Sequence, residues 1–204
     1  MKPTKKLANL SGLGLIIFLG VLLLMGPQQA RAGEPMENIK SLINQIQTIL
    51  QNHKEKAQRV ALIEKAAAQH LDFQEMAQRC LGGTWKTLSR GQQDEFVHVF
   101  SQLLKASYAD HLDEFVKAKV NYLGENLDGN SGEVRIVVLR ANDRIPVNFH
   151  VLKKPEGWKI YDLNIEGVSM VCNYQCQFQR AIRAISYQGL LGRLKSKLKE
   201  EHLG

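Results

Sequence analysis

The hydrophobic period of this chain changes twice, and that change constrains the fold more than any other feature. From Met36 to Phe115, apolar residues recur every three or four positions, as they do along one face of a helix. From about Val120 to Ile165 they alternate at a period of two, which is typical of strands. After Gly167 the helical period returns. The order predicts an α+β fold in which helices pack on one face of a curved sheet.

Capping residues set the helix boundaries. Asp72 with Glu75 three positions later, and Ser89 with Gln92, are typical of helix N-termini, and Gly82 ends the helix that begins after Asp72. The helix after Ser89 carries the strongest apolar stripe, which comprises Phe96, Val99, Phe100, Leu103, Leu104, Tyr108, Leu112 and Phe115. The other predicted helices are Met36–Leu50, His53–His70, Phe73–Leu81, Val168–Ile185 and Tyr187–Glu201.

Four segments with alternating residues predict the strands. Short turns rich in Gly, Asn, Asp and Pro separate these segments, and this favours an antiparallel meander of four strands. The predicted strands are Lys119–Leu127, Val134–Leu139, Ile145–Leu152 and Trp158–Ile165. The predicted turns are Asp128–Gly132, Asn142–Asp143 and Lys154–Gly157.

The N-terminus has the composition of a secretory signal. Three lysines within the first six residues precede an uncharged apolar run, Leu13–Met25, which is short for a membrane span. The small-residue pattern Ala30-Arg31-Ala32 follows as a cleavage site. We therefore predict that residues 1–32 are a cleaved signal peptide and that residues 33–204 form a single exported domain. An uncleaved N-terminal anchor is the alternative.

Removal of the signal changes the charge of the chain. The whole sequence carries a net charge of +7, but four basic residues and no acidic residue lie in the signal. The remaining 23 basic and 20 acidic residues give a charge of only +3, spread along the chain. This balance argues against a nucleic-acid partner.

The sequence carries no arrangement typical of catalysis or metal binding. Gly167–Val171 begins like a nucleophile elbow but lacks the final glycine, and no histidine pair has metalloprotease spacing. Cys172 and Cys176 lie four residues apart, too far along a helix for an unstrained disulfide, and no other pair completes a metal site. We predict three free cysteines that are mostly buried, no metal, no cofactor and no enzymatic activity.

Five blocks of sequence resemble one family. Leu71–Ala77, Leu81–Lys86, Phe96–Tyr108, Gly157–Leu163 and Glu166–Phe178 are similar, in order and spacing, to segments of the MlaC family. Its members are periplasmic phospholipid-binding proteins, also called toluene-tolerance proteins.

The resemblance implies a fold and a function. The implied fold is NTF2-like, with a sheet and helices that enclose a lipid cavity. The implied function is a periplasmic carrier that shuttles phospholipid between an outer-membrane lipoprotein and porin complex and an inner-membrane ABC transporter complex. Another lipid, such as a hopanoid, is an alternative cargo. Lys86 and Gln175 stand where the family usually has arginine, so any headgroup or loop contact of those arginines must be made differently here.

Enclosure of the lipid tails follows from their hydration cost. Exposure of an acyl chain of about 16 carbons to water costs roughly 13 kcal/mol at about 0.8 kcal/mol per methylene, so a soluble carrier must bury the chain. For each apolar residue, a place in an ordinary packed core is the competing interpretation. The predicted lipid-binding residues are Phe100, Leu103, Leu104, Tyr108, Val147, Phe149, Val151, Val168, Met170 and Val171.

Two other classes of protein remain open from the sequence. An NTF2-like enzyme would need an acid–base pair in its pocket, and Asp162 with Tyr161 is the best pair that the sequence offers. An interaction module of a membrane complex would need neither a pocket nor a ligand.

The signal-peptide hypothesis makes a direct prediction. N-terminal sequencing of the protein from its native host should begin at Gly33, because signal peptidase cleaves after an A-x-A pattern. A chain that begins at Met1 and fractionates with membranes would instead identify an anchor.

Overall fold

Helices precede and follow an antiparallel sheet. The computed structural model describes residues 34–109, 116–140 and 143–203. The helices are α1 (Glu34–Asn52), α2 (Lys56–His70), α3 (Phe73–Leu81), a 3₁₀ helix (Gly82–Thr87), α4 (Arg90–Ala109) and α5 (Met170–Leu203). The strands are β1 (Lys119–Asp128), β2 (Ser131–Arg140), β3 (Asp143–Lys154), β4 (Gly157–Ile165) and β5 (Val168–Ser169). Of the predicted features, the signal peptide, Leu112, Phe115 and Asn142 lie outside the described residues.

The predicted α+β class is confirmed, but the sheet has five strands in the order β1-β2-β3-β4-β5 rather than four. The additional strand arises because Glu166 and Gly167 both adopt positive φ (51° and 86°) and form a tight turn. This turn folds Val168 back to pair with Ile165. The helix predicted from Val168 therefore begins at Met170. A strand of two residues is too short to produce a period in the sequence.

The capping predictions are confirmed at both sites. The Asp72 side chain accepts a hydrogen bond from the backbone N–H of Glu75 at 2.8 Å, which caps α3. At the start of α4, the backbone N–H of Ser89 donates to the Gln92 side chain at 2.9 Å, and the Gln92 N–H donates to the Ser89 hydroxyl at 3.4 Å. These reciprocal bonds satisfy N–H groups that have no partner inside the helix.

The two sides of the sheet differ in how their outer strands are covered. On one side, Leu71 forms a parallel bridge with Ile160, and the N–H of Asp72 donates to the Ile160 carbonyl at 2.8 Å. The junction between α2 and α3 thus covers part of the outer edge of β4. On the other side, β1 is an edge strand with a bulge between Tyr122 and Gly124, where Gly124 has a φ of 135°. Bulges bend the strand and increase its local twist.

Hydrogen bonds of Asn38 join α1 to both the sheet and α2. The Asn38 amide donates to the Trp158 carbonyl at 2.6 Å, and its Oδ1 lies 2.5 Å from Nδ1 of the buried His70. Because this amide oxygen can only accept, Nδ1 of His70 carries the proton. Burial, reinforced by the nearby Lys159, lowers the pKa of His70. The neutral ring is therefore the form that fits the interface.

The main packed core lies among α3, α4 and α5. Phe96 stacks on Phe100 with ring centroids 5.9 Å apart, and Phe178 meets both rings edge-on at 5.7 and 5.8 Å. Aromatic pairs of this geometry each add about 0.5–1.5 kcal/mol to the effect of burial alone. The other buried members of this helical cluster are Met76, Ala77, Cys80, Leu81, Trp85, Val99, Leu103, Leu104, Met170, Val171, Tyr187, Leu190, Leu191 and Leu194.

The last helix is interrupted at Ser186, as the sequence predicts from its two helical segments. Ser186 has a φ of 67° and a ψ of 172°, and its hydroxyl accepts a 3.4 Å hydrogen bond from the N–H of Gly189. The next residue, Tyr187, donates its hydroxyl to the Gln92 carbonyl of α4 at 3.0 Å. The interruption therefore redirects the chain so that the second part of α5 continues along the helical cluster.

The backbone geometry after Ser186 leads to opposite predictions for two glycines of α5. A Cβ at Gly189 would lie 2.9 Å from the Ile185 Cβ, whereas a Cβ at Gly192 would meet nothing within 4 Å. We expect Gly192→Ala to raise the free energy of unfolding by about 0.4–1 kcal/mol through its helix propensity. Gly189→Ala should lower it by about 1 kcal/mol or more, because overpacking outweighs that gain. Urea denaturation of the pair measures both signs; equal stabilisation by the two changes would contradict the close approach.

Candidate functional site

One face of the sheet is apolar across three strands. The cross-strand pairs Val134–Phe149, Ile136–Val147 and Val138–Ile145 join β2 to β3 on this face. Phe149 and Val147 in turn pair with Leu163 and Ile165 of β4. Because side chains alternate between the two faces of a sheet, these residues all project to the same side. They form the apolar sheet face.

Burial decreases along this face. On β2 the exposed fraction rises from 0% at Val134 to 2% at Ile136 and 6% at Val138. On β3 it rises from 0% at Val151 to 7% at Phe149 and 8% at Val147. The end of the face nearer Val151 is thus completely buried. Nearer the β2–β3 connection, Val138 and Val147 are still buried, whereas Ile145 and Ile165 are only partly buried.

The helical cluster is a second apolar region, and Leu163 of the apolar sheet face packs against it. Its buried members come from α3, the 3₁₀ helix, α4 and α5, and none of the buried residues of β2 and β3 is among them. Of the predicted lipid-binding residues, Phe100, Leu103 and Leu104 belong to this cluster. Phe100 also contacts Tyr174 edge-on, with ring centroids 5.4 Å apart. These three residues therefore pack among the aromatic and aliphatic side chains of the helical cluster.

The remaining predicted residues are divided among several places. Met170 and Val171 lie in the helical cluster, at the start of α5. Val168 lies in β5, where its side chain is 60% exposed and is not part of the core. Val151 lies at the fully packed end of the apolar sheet face. Tyr108 belongs to α4, but its side chain lies outside the described residues.

The structure brings together residues that the sequence did not assign to a site. Ile136 and Val138 share the apolar sheet face with Val147 and Phe149 through the strand register. Alternation within β2 was visible in the sequence, but alternation alone does not reveal which strands become neighbours. Cross-strand register was the missing information.

The carboxylate of Asp162 connects the sheet to α5. Asp162 is buried, with only 6% exposure; its Oδ2 accepts from the Ser169 hydroxyl at 2.5 Å and its Oδ1 accepts from the N–H of Val171 at 2.9 Å. The Ser169 hydroxyl in turn accepts from the N–H of Cys172 at 3.0 Å. Its neighbour Tyr161 packs under the Arg79 guanidinium at 4.1 Å. The pair considered for catalysis is therefore engaged in structural contacts.

Gln175, one of the two departures from the family pattern, has a structural partner. Its side-chain amide donates to the Arg79 carbonyl at 3.0 Å, and Gln179 donates to the Leu81 carbonyl at 2.7 Å. Both carbonyls lie in the last turn of α3, where carbonyls lack an N–H donor from a following helical turn; the Arg79 carbonyl also accepts from the N–H of Gly82. Gln175 thus fixes the end of α3, whereas Lys86, the other departure, is exposed.

A groove of about 710 Å³ lies between α1 and α2. Most of the residues that line it have polar or charged side chains; the lining comprises Glu37, Lys40, Ser41, Asn44, Gln45, Thr48, Ile49, Leu62, Lys65, Ala66 and Gln69. Amide, hydroxyl and charged groups of this kind are poor partners for an acyl chain, because their hydration is lost without compensation.

The cysteines differ in part from the prediction. All three are free, as predicted, but only Cys80 is buried; Cys172 and Cys176 are exposed. The prediction of burial was wrong for these two because they lie on the side of α5 that faces away from the helical cluster. Burial raises the pKa of the Cys80 thiol to about 12. Within the described ranges, no group of three or more His, Cys, Asp and Glu residues could hold a metal ion.

Among the residues that the structure describes, no helix is both long enough and apolar enough to cross a bilayer.

The fold and the apolar sheet face define a class of α+β protein with an open antiparallel sheet against a helical layer. The phospholipid-binding protein from Ralstonia solanacearum, solved in complex with a phospholipid, has this fold, with a TM-score of 0.76 at 22% identity. The superposition covers 81% of this chain and 97% of that one.

Sequence comparison identifies the family. The model of the MlaC protein family matches residues 40–196, so the chain belongs to the MlaC family. The intermembrane phospholipid transport system binding protein MlaC of Haemophilus influenzae is 26% identical over 108 residues. That alignment covers 50% of this chain, and the chain spans about half the length of that relative.

Substitution of Asp162 tests its role at the start of α5. We expect Asp162→Ala to lower the free energy of unfolding by about 2–3 kcal/mol, because the buried Val171 N–H and Ser169 hydroxyl both lose their acceptor. Asp162→Asn, which keeps one acceptor oxygen, should cost less. Asp128→Ala, at the exposed end of β1, is the control and should change stability by no more than about 0.5 kcal/mol. Equal effects at positions 162 and 128 in urea denaturation would exclude the anchoring role.

Proposed function

We propose that this protein binds phospholipid through its acyl chains and carries it across the aqueous space between two membranes. The observation that carries the proposal is the apolar sheet face, whose burial decreases toward the β2–β3 connection. An apolar surface of three strands on which Ile145 and Ile165 are only partly buried can accept an acyl chain along that end. The tails lie along Val138, Ile145, Val147, Phe149 and Ile165.

The chemistry of that surface suits an acyl chain. The side chains are branched aliphatic or aromatic and carry no polar atom that the tail would leave unsatisfied. Each methylene of the acyl chain that is buried against this face contributes about 0.8 kcal/mol to the free energy of binding. Burial along the length of one acyl chain therefore favours the bound state over exposure of the chain to water. Of the residues predicted from sequence, Val147 and Phe149 are the ones that this arrangement retains as lining. Phe100, Leu103, Leu104, Met170 and Val171 pack in the helical cluster instead.

The relatives support the same substrate class and transport role. The solved neighbour binds a phospholipid, and the Haemophilus relative is a binding protein of an intermembrane phospholipid transport system. By extension, this chain acts in the periplasm and exchanges its cargo with an inner-membrane ABC transporter complex and an outer-membrane lipoprotein and porin complex. The predicted signal peptide supports that location.

Analysis of bound lipid tests the substrate class. The protein purified from its native host without detergent should yield about one phospholipid equivalent per chain on organic extraction and mass spectrometry. If the extract instead contained an equal amount of a hopanoid or another neutral lipid, the protein would still be a lipid carrier, but its ligand would not be a phospholipid. Extraction of no lipid from the folded protein would refute the proposal.

Val147→Trp separates binding from folding. In the lipid-free protein, the added ring fills space that the acyl chain otherwise occupies and gains dispersion contacts, so the variant should melt near or above the lipid-free parent. It should also no longer purify with lipid. The comparison uses lipid-free forms because bound lipid stabilises the parent by mass action.

Val151→Trp is the matched control on the same strand and face. Val151 is completely buried beside Gly132, so the same substitution there is overpacking and should cost about 1–3 kcal/mol or more. If both variants melt far below the parent, Val147 belongs to ordinary core. If Val147→Trp retains its full lipid load, the acyl chain binds elsewhere.

A further inference from the structure

Two exposed thiols lie one helical turn apart on α5, and neither takes part in the apolar sheet face or the helical cluster. Cys172 and Cys176 are both free and exposed, whereas Cys80 is buried. Only the exposed pair is therefore accessible to an ion in the solvent.

The helix that carries this pair is anchored at its start. The N–H of Cys172 donates to the Ser169 hydroxyl at 3.0 Å, and the preceding N–H of Val171 donates to the Asp162 carboxylate at 2.9 Å. These bonds fix the first turn of α5, so Cys176 follows at the regular spacing of residues i and i+4. Residues at this spacing are neighbours on one helix face.

The spacing disfavours a disulfide and suits a bridging metal ion. Side chains four residues apart have Cβ atoms about 5–6 Å apart, whereas a disulfide requires about 3.5–4.5 Å. With a metal–thiolate bond of about 2.3 Å, two sulfurs on opposite sides of one ion lie up to about 4.6 Å apart. The side chains reach that separation without unwinding the helix.

We infer that Cys172 and Cys176 form a two-thiolate site for Cu(I). Thiolates select soft cations such as Cu(I), and Cu(I) is stable with two sulfur ligands. Structural zinc takes four protein ligands, and the described residues place no third or fourth ligand beside this pair. Binding releases one proton from each thiol, forms two Cu–S bonds and changes no oxidation state. The resulting anionic bis-thiolate lies one turn before the exposed guanidinium of Arg180.

Competition with a chromophoric Cu(I) chelator measures the site in the reduced full-length protein under anaerobic conditions. The protein should withhold one Cu(I) per chain and remain monomeric. Cys172→Ser and Cys176→Ser should each weaken binding by at least about 100-fold, since the second ligand then loses its effective concentration. Cys80→Ala should bind Cu(I) as the parent does.

A variant that keeps two exposed thiols but changes their register is the matched control. The double change Cys176→Ser and Gln177→Cys moves one thiol from position i+4 to i+5, out of line with Cys172 on the helix. Gln177 is exposed, so the exchange leaves the core unchanged, and circular dichroism verifies the helix. This variant should bind as weakly as the single-cysteine variants. Parent-like affinity in this variant, loss of binding in Cys80→Ala, a copper-bridged dimer, or no Cu(I) retained by the parent would each overturn the site.

Discussion

The hydrogen bonds of Asp162 are the interaction on which the rest of the structure depends. One buried carboxylate on β4 accepts from the side chain of Ser169 and from the first turn of α5. Negative charge at a helix N-terminus is favoured by the unsatisfied N–H groups and the dipole there. The contact fixes the direction in which α5 leaves the sheet. That direction places Phe178 against Phe96 and Phe100, and so determines where the helical cluster forms.

Helix and strand assignments followed well from the sequence because the signals are local. The caps at Asp72 and Ser89, the stop at Gly82 and the break before Tyr187 depend on residues within a few positions. The two-residue strand β5 was missed because a turn with two positive φ values, rather than a period, creates it. The sequence also predicted that α5 is interrupted before Tyr187, but nothing in it indicated that Ser186 adopts a φ of 67°.

The candidate site was only partly predictable because it depends on contacts between distant segments. Hydrophobicity identified Phe100, Leu103 and Val147 equally well, yet the first two pack in the helical cluster and the third lies on the apolar sheet face. Burial of Cys80 and exposure of Cys172 illustrate the same limit, since both are cysteines on helices. Which side of a helix meets the core depends on tertiary packing. Family resemblance suggested the ligand class, and the register of β2 and β3 brought together the residues that we propose as lining.

The contacts of the helical cluster have a consequence for the order of folding. Cys80 with Val171, Gln92 with Tyr187 and Glu95 with Lys195 join residues that are 91, 95 and 100 positions apart. Closure of such loops in an unfolded chain costs more entropy than closure of a hairpin of the meander. A folded meander shortens the path between the segments that these contacts join, so we expect the helical cluster to assemble after it. The two tryptophans report on these events separately, since Trp85 lies in the helical cluster and Trp158 lies in the sheet beside α1.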